Sequence, residues 1–503
     1  MAISYLDAAL AVFGLYVLKK WLTRPAAPLP PGPRAYPLIE NLLDMPSSQE
    51  WLTFTKWGEK YGDMVSVSVF GQRMLILNSS KVAFEMLDKK SSIYSDRPVM
   101  HMGGELCGWK DTLALVPYGE RFRNYRKYFH QTIGSGSAMS AFYPVEEEET
   151  RGFVRRVLEC PEGLAEHVRR TAGAIILRIS HGYHIKEHDD PFVQLADLAT
   201  EQFSLSTAPG GFLVNIIPAL RHVPEWFPGA GFHSIAKSWK KTLHEMADGP
   251  HKYVKQQLAS GTAEPSLTSR LLSENVELTS EREHEIKWSA ASMYSGGADT
   301  TVSSIYSFFL AMVLFPETMT KAQSELDSVV GDERWPCFDD RARLPYTNAL
   351  VMEVLRWHAV TPTGVPHTVI EDDIHDGYFI PKGTMVITNI WKMLHDERVY
   401  RDPFRFNPER FLGANPEPNP LDVCFGFGRR ICPGRVLAEA SVFITCAMTL
   451  ATCDIRKCKD DKGAVVNVVY EQTTGTISHP KQFKCSITPR SAKVLDLVNS
   501  EEV

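Results

Sequence analysis

The sequence contains no Cys-x-x-Cys pair, and its nine cysteines, from Cys107 to Cys485, form no regular framework. The closest pairs, Cys453/Cys458 and Cys446/Cys453, are five and seven residues apart. The odd count argues against a secreted disulfide scaffold and the spacing against structural zinc, leaving most thiols to be read as small buried hydrophobes. A surplus of positive charge is also lacking: 54 Lys and Arg stand against 60 Asp and Glu, a net charge of -6, which points away from a nucleic-acid partner. There is no repeat of fixed period and, beyond about Tyr36, no long low-complexity linker. A dinucleotide fingerprint is missing too, because Gly426-Phe427-Gly428 has no third glycine and no βαβ setting.

What is present suits a globular body with a sizeable core: 44% of residues are hydrophobic and 23% charged. Ala2 to Leu18 is apolar apart from Ser4 and Asp7, and Lys19, Lys20 and Arg24 follow it. As a helix of roughly 25 Å this run would cross a thin bilayer. Charge after the run, not before it, favours a retained signal anchor over a cleaved signal peptide and leaves the rest of the chain in the cytosol. The expected organisation is a single-pass anchor over residues 1–21, a stiff proline-rich hinge over 22–37 and one catalytic domain over 38–503. Alternation predicts strands over Met64 to Val69 and Met74 to Leu77, around a Gly71-Gln72 turn. Helical spacing marks Lys81 to Lys89, Glu120 to His130, Ile286 to Leu314, Pro316 to Val330, Asn348 to Trp357 and Pro433 to Ala451. The Ile286 to Leu314 stretch, apolar nearly throughout, is expected to be one central buried helix. The acidic run Glu146 to Glu149 reads as a solvated helix face. The fold class is mainly α with a small β region.

The most specific chemistry lies in Phe425-Gly426-Phe427-Gly428-Arg429-Arg430-Ile431-Cys432-Pro433-Gly434. A thiolate that ligates a flat macrocycle needs close backbone approach, which Gly426, Gly428 and Gly434 permit. Pro433 suits the first turn of the helix that follows, and that helix N-terminus would lower the thiol pKa. Arg430 supplies a cation for a carboxylate. Inside the long apolar stretch, Gly296-Gly297-Ala298-Asp299-Thr300-Thr301 pairs two helix-weakening glycines with an acid and an alcohol, as a proton relay would. A helix-packing glycine pair with incidental polar neighbours is the other reading. Glu353 and Arg356, three residues apart, share a helix face.

These segments resemble the cytochrome P450 family of haem-thiolate enzymes. The cysteine segment carries all five fixed positions of the FxxGxRxCxG signature: Phe425, Gly428, Arg430, Cys432 and Gly434. The resemblance implies that Cys432 ligates the iron of haem b, where a thiolate favours O–O cleavage. It implies that Phe425, Gly426 and Gly434 shape the haem-binding loop, and that Arg430, Arg126 and His367 serve the haem propionates. A packing role fits His367 as well. Asp299 and Thr300 match the (A/G)Gx(D/E)T motif, implying proton delivery to dioxygen. Glu353 and Arg356 match the ExxR pair, with Arg410 of Phe406-Asn407-Pro408-Glu409-Arg410-Phe411 as its third member. Two positions depart from the pattern: Phe122 stands where Trp is frequent, and Glu40-Asn41 follows the hinge where Gly-Asn is usual.

The same resemblance implies a distal pocket formed by Val99 to Lys110, Met293 to Thr300, Thr363 to Val365 and Thr474 to Ile477. Their mainly apolar residues suit a small neutral hydrophobic substrate. It also implies an NADPH-dependent flavin reductase as electron donor, with Arg121, Arg123, Lys127, Arg429 and Arg435 as a candidate docking face. The expected place is the endoplasmic reticulum membrane with the body in the cytosol, and the aromatic loop Pro224 to Phe232 could dip into the bilayer. Phe212 to Gly229 and Ile370 to Phe411 resemble fungal members that tailor secondary metabolites. A terpenoid is the expected substrate and an indole or other aromatic metabolite the alternative. The expected reaction is monooxygenation; an oxygen-independent isomerase or dehydratase and a non-catalytic haem sensor or carrier are the other classes.

Overall fold

The computed structural model of the chain describes residues 27–208 and 211–500, together with Gly14. The expected anchor, residues 1–21, otherwise lies outside the described residues, as do residues 22–26 of the hinge. The rest of the hinge is laid onto the body and does not stand free of it. Pro31 O accepts from Ser66 N, Pro28 O from Phe379 N, and Pro33 O from the Asn41 side chain. Proline carbonyls remain free acceptors even though the ring removes the donor, so this half of the expected spacer adds backbone bonds to the sheet region.

Among the described residues eleven helices of twelve or more residues carry the architecture. They are α1 (Glu50–Tyr61), α2 (Glu120–Ile133), α3 (Tyr143–Glu159), α4 (Leu164–His181), α5 (Pro191–Thr207), α6 (Phe232–Ser260), α7 (Ser280–Ala298), α8 (Thr300–Leu314), α9 (Pro316–Val329), α10 (Pro345–Trp357) and α11 (Arg435–Thr452). The β part is small. Strands β1 (Met64–Val69), β2 (Gln72–Leu77), β3 (His367–Thr368) and β6 (Met385–Thr388) form a sheet in the order β1-β2-β6-β3, whereas β4 (Asp373–His375) pairs with β5 (Tyr378–Ile380), and β7 (Cys453–Lys457) with β8 (Cys485–Pro489). In β1 the valines at 65, 67 and 69 are buried while Ser66 and Ser68 are not, the period of two that a one-sided sheet imposes. The mainly α class with a small β region is thus what the chain adopts.

The predicted central helix is present, but in two pieces. α7 and α8 are separated by Asp299 alone, whose backbone stays right-handed (φ -112°, ψ -37°) but is stretched from the regular helical φ. The Thr300 hydroxyl, 2.6 Å from Gly296 O, bonds back to the preceding turn. Such back-bonding beside two adjacent glycines weakens the regular ladder at this point. The rod α7–α8 is long and apolar enough to cross a membrane, as is α11, yet both are mostly buried inside the body and pack as core. α7 lies against α2, α4, α5 and α6, and α8 against α4 and α11.

Two further expectations need correction. Glu146 of the acidic run is fully buried on α3, accepting a hydrogen bond of 2.6 Å from Ser441 of α11. Four consecutive helical residues sweep about 300° around the axis, so they cannot all face solvent. Pro433 is not in the first turn of α11, which begins at Arg435 with Gly434 as its cap.

Candidate functional site

The cysteine segment turns back on itself: Cys432 N donates to Phe425 O at 2.8 Å and Ile431 N to Gly428 O at 3.2 Å. Gly426 and Gly428 have φ of 78° and 56°, values that only glycine reaches without strain. At Gly428 there is a second constraint. A Cβ there would lie 2.0 Å from the carbonyl oxygen of Leu87, so the close approach of the segment carrying Leu87 by itself requires a glycine here. Gly434 stands beside the sulfur, its Cβ position 3.7 Å from Cys432 Sγ.

The loop opens on a cavity of about 330 Å³. On one side lie Cys432, Phe425, Gly426 and Gly434; facing residues of the rod include Gly296, Gly297, Thr300 and Thr301. Cys432 presents free surface although protein encloses it, because that surface opens inward to the cavity. Burial pushes its thiol up, opposed by the Gly434 N–H and the Arg126 guanidinium, which favour the thiolate. Cys424 also borders the cavity, less openly.

The two glycines of the rod have different functions. A Cβ at Gly296 would meet nothing, whereas one at Gly297 would lie 2.8 Å from Ile176 of α4. Gly297 is the packing glycine, and Gly296 leaves space. Thr300 lines the cavity with its hydroxyl proton committed to Gly296 O, so it offers an acceptor to a guest. Asp299 does not line it. Its carboxylate accepts from His479 Nε2 at 3.1 Å. Nearby, Asp197 of α5 pairs with Arg169 at 3.6 Å. Burial pushes the Asp197 carboxyl up to about 7; Arg169 and His479 oppose the rise and Asp299 adds to it. The sequence placed acid and alcohol side by side; the structure turns them to different surroundings, with His479 and Asp197 as members that sequence reasoning missed.

Three arginines flank the cavity without a carboxylate partner among the described residues. Arg430 donates to Ser95 O and Val116 O at 2.8 Å and lies 4.0 Å over the Phe122 ring. Arg97 donates to Ala114 O, Val365 O and Pro366 O. Arg126 donates to Ile431 O. Burial lowers all three from the ordinary arginine value. His367 is 2.7 Å from Tyr94 O through Nδ1, and burial followed by the Arg97 charge holds its pKa well down. Arg97 was missed in the sequence: Asp96-Arg97-Pro98 reads as an ordinary extended turn, and contacts with residues 114, 365 and 366 enclose it. Buried or half-buried guanidiniums that bond only backbone carbonyls are matched by an anionic guest. A flat macrocycle with two carboxylates, held by a thiolate, fits this set of donors.

Behind the loop, Glu353 and Arg356 of α10 form a bidentate pair at 2.7 and 2.9 Å, both fully buried. Arg410 adds its Nε to Glu353 at 3.1 Å, and Asn407 N donates to the same carboxylate at 2.8 Å. Glu417, which sequence reasoning did not reach, takes the other side of Arg410 at 2.6 Å. Two carboxylates and two guanidiniums balance, which lets the network lie buried without an uncompensated charge. The Arg356 guanidinium also donates to Leu394 O and Pro403 O, tying α10 to the segment before the cysteine loop.

Of the expected pocket segments, Trp109, Met293, Gly364, Val365, Thr476 and Ile477 do line the cavity. From Val99 to Lys110 only Trp109 does so; Thr112 to Ala114 take over, and Phe203 and Thr200 of α5 and Phe129 of α2 join unannounced.

A family model described as Cytochrome P450 matches residues 30–485. The chain is 51% identical over 496 residues to "Cytochrome P450 monooxygenase 208" of Postia placenta, covering 98% of this chain and 96% of that protein. It is 46% identical to "Cytochrome P450 monooxygenase claR" of Ampulloclitocybe clavipes, covering 99% and 93%. It is 43% identical to "Cytochrome P450 monooxygenase ppsD" of Aspergillus oryzae, covering 94% and 91%.

Proposed function

We propose, from the premise that this chain belongs to the cytochrome P450 family and is a haem-dependent monooxygenase, that Cys432 is its iron ligand and a small hydrophobic metabolite its substrate. The observation that carries the reading is the facing of Cys432 and the Gly296–Thr300 turn across one cavity. When bound, haem supplies dioxygen activation. The residues supply the rest. Arg97, Arg126 and Arg430 receive its carboxylates, and the Gly434 N–H and Arg126 favour the charged sulfur. Thr300 orders a water or a reaction partner by accepting its hydrogen bond, and Asp299, released from His479, brings protons inward from the Asp197 side.

The pocket wall of Met293, Leu113, Phe129, Val365 and Ile477, with hydroxyls at Thr200, Ser295 and Thr476, suits an apolar skeleton bearing few oxygens. A terpenoid of fungal secondary metabolism is the first choice. Trp109 and Phe203, with ring centroids 4.7 Å apart at the cavity wall, support an indole or other aromatic as second reading. An NADPH-dependent flavin reductase is the electron donor in this reading, and residues 1–21 anchor the chain in the endoplasmic reticulum membrane with its body in the cytosol. The test is turnover with reductase, NADPH and isotopically heavy dioxygen over terpenoid and indole panels. One heavy oxygen atom in the product is expected; conversion without oxygen or reductant would replace this reading with an isomerase.

A further inference from the structure

A second cluster of donors lies away from the cavity, where the β4–β5 hairpin meets the segment Phe84–Lys89. His375 ends β4, Asp376 follows it in the turn, and Glu85 comes from the facing segment. His375 Nε2 is 3.6 Å from Glu85 Oε2 and 3.8 Å from Asp376 Oδ2. The residue is only 7% exposed, and this nitrogen has no hydrogen-bond partner among the described residues. At such distances neither contact is a hydrogen bond. Three other histidine–carboxylate pairs close, His184–Glu264 at 2.8 Å, His479–Asp299 at 3.1 Å and His251–Glu283 at 3.3 Å, whereas His284, open at 3.5 Å, faces the single carboxylate of Asp111. A buried ring nitrogen that faces two carboxylate oxygens and bonds neither lacks its partner among the described residues. Two donors sharing a cation at 2.0–2.2 Å stand roughly 3.3–4 Å apart, which is the spacing here. The three donor atoms all lie within 4.8 Å of one another.

We infer that Glu85, His375 and Asp376 bind a divalent transition-metal ion of the zinc type. One imidazole and two carboxylates suit zinc, whereas Mg²⁺ and Ca²⁺ prefer oxygen alone and Cu(I) prefers sulfur. The two carboxylate charges match a dication. Asp376, with a side chain 61% exposed, and Glu85, 27% exposed, give the ion a way in, and His375 closes the site from behind.

The position gives such an ion a consequence. The segment that carries Glu85 supports the cysteine loop: Phe84 meets Phe427 edge-on at 5.2 Å, and Leu87 O packs against Gly428. Lys90 and Tyr94 already fasten the same region to Asp373 of β4, each at 2.7 Å. The ion is a second fastening between the hairpin and the support of the loop.

The test uses the haem-loaded full chain without a histidine tag, stripped with chelator and dialysed against Zn²⁺, with zinc counted against iron. One zinc per haem is expected. His375→Ala and Glu85→Gln should each weaken zinc affinity by about tenfold or more, while His184→Ala should not. Zinc should also raise the unfolding temperature of the wild type and of His184→Ala but of neither site variant. X-ray absorption at the zinc edge should show one imidazole among oxygen ligands. Should His375→Ala fail to load haem, Glu85→Gln at its partly exposed position decides the matter. No saturable zinc binding, equal binding by wild type and Glu85→Gln, or a preference for Mg²⁺ or Ca²⁺ would overturn the inference. None of these readouts involves turnover, so they leave the proposed reaction untouched either way.

Discussion

Thr300 and Asp299 are adjacent in sequence, yet only the hydroxyl borders the cavity while the carboxylate is bound to His479. Removing the hydroxyl should therefore misplace a guest at the cavity without unloading the carboxylate. Thr300→Ala should keep haem content and substrate binding but lose product per electron pair by on the order of tenfold, with peroxide rising in step; Thr300→Ser should restore coupling. Peroxide and product measured against NADPH consumed check this. Glu146 shows the same dependence on surroundings. Burial pushes its carboxyl from 4.5 up to about 8, against the pull of Ser441 and Arg341. In the unfolded chain it ionises near 4.5, while in the folded chain it keeps its proton to about 8. Its contribution is therefore complete below pH 4.5 and is lost as pH rises toward 8. At pH 7 the loss is on the order of 3 kcal/mol. Glu146→Gln, which keeps an acceptor for Ser441, should match wild type in urea midpoint near pH 4 and exceed it near pH 8.

The cysteine loop and the central rod are the elements that make the site, and they were legible for different reasons. Phe425 to Gly434 concentrates its constraints in ten residues, so the loop could be read locally. The rod was legible as apolar helix, but its break at Asp299 depends on a bond from Thr300 to Gly296 that composition does not display. Arg97 and Glu417 were illegible because their roles come from partners that local sequence does not display, residues 365 and 366 for one and Arg410 with its Glu353 network for the other. The glycines of the loop were noticed for lacking a Cβ beside a macrocycle; the positive φ of Gly426 and Gly428 and the approach of Leu87 O to Gly428 are further constraints that only the folded chain displays. Gly428→Ala should drive a methyl into Leu87 O and strain a φ of 56°. Haem-loaded protein should fall several-fold, as pyridine haemochrome against total protein would measure. Gly297→Ala meets the Ile176 side chain and no backbone atom, at a position without a positive φ, and should cost less.

At the scale of the whole molecule, the cavity lies between the rod and the cysteine loop, with the balanced Glu353 network behind the loop. The candidate reductase face is less open than its sequence suggests. Arg121 pairs with Asp111 and Glu281, and Arg435 with Asp422, leaving Arg123 and Lys127 of α2 and Arg429, which lies over Tyr118, as the exposed cations. Trp226, 81% exposed, and Phe227 project from the loop before α6. Among the described residues, backbone contacts of the hinge to the body start at Pro28, and deleting residues 2–21 should leave haem loading and stability unchanged while most of the chain leaves the membrane fraction. Residual attachment should then depend on Trp226 and Phe227, and secretion of the full-length chain with its first residues removed would contradict the anchor. The central claim is the ligand itself. It is tested most directly by the carbon-monoxide difference spectrum of the reduced protein, for wild type, Cys432→Ala and Cys424→Ala. The long-wavelength band of a thiolate-ligated haem should be present in the wild type, present in Cys424→Ala and absent in Cys432→Ala. A band that survives in Cys432→Ala and vanishes in Cys424→Ala would contradict the account.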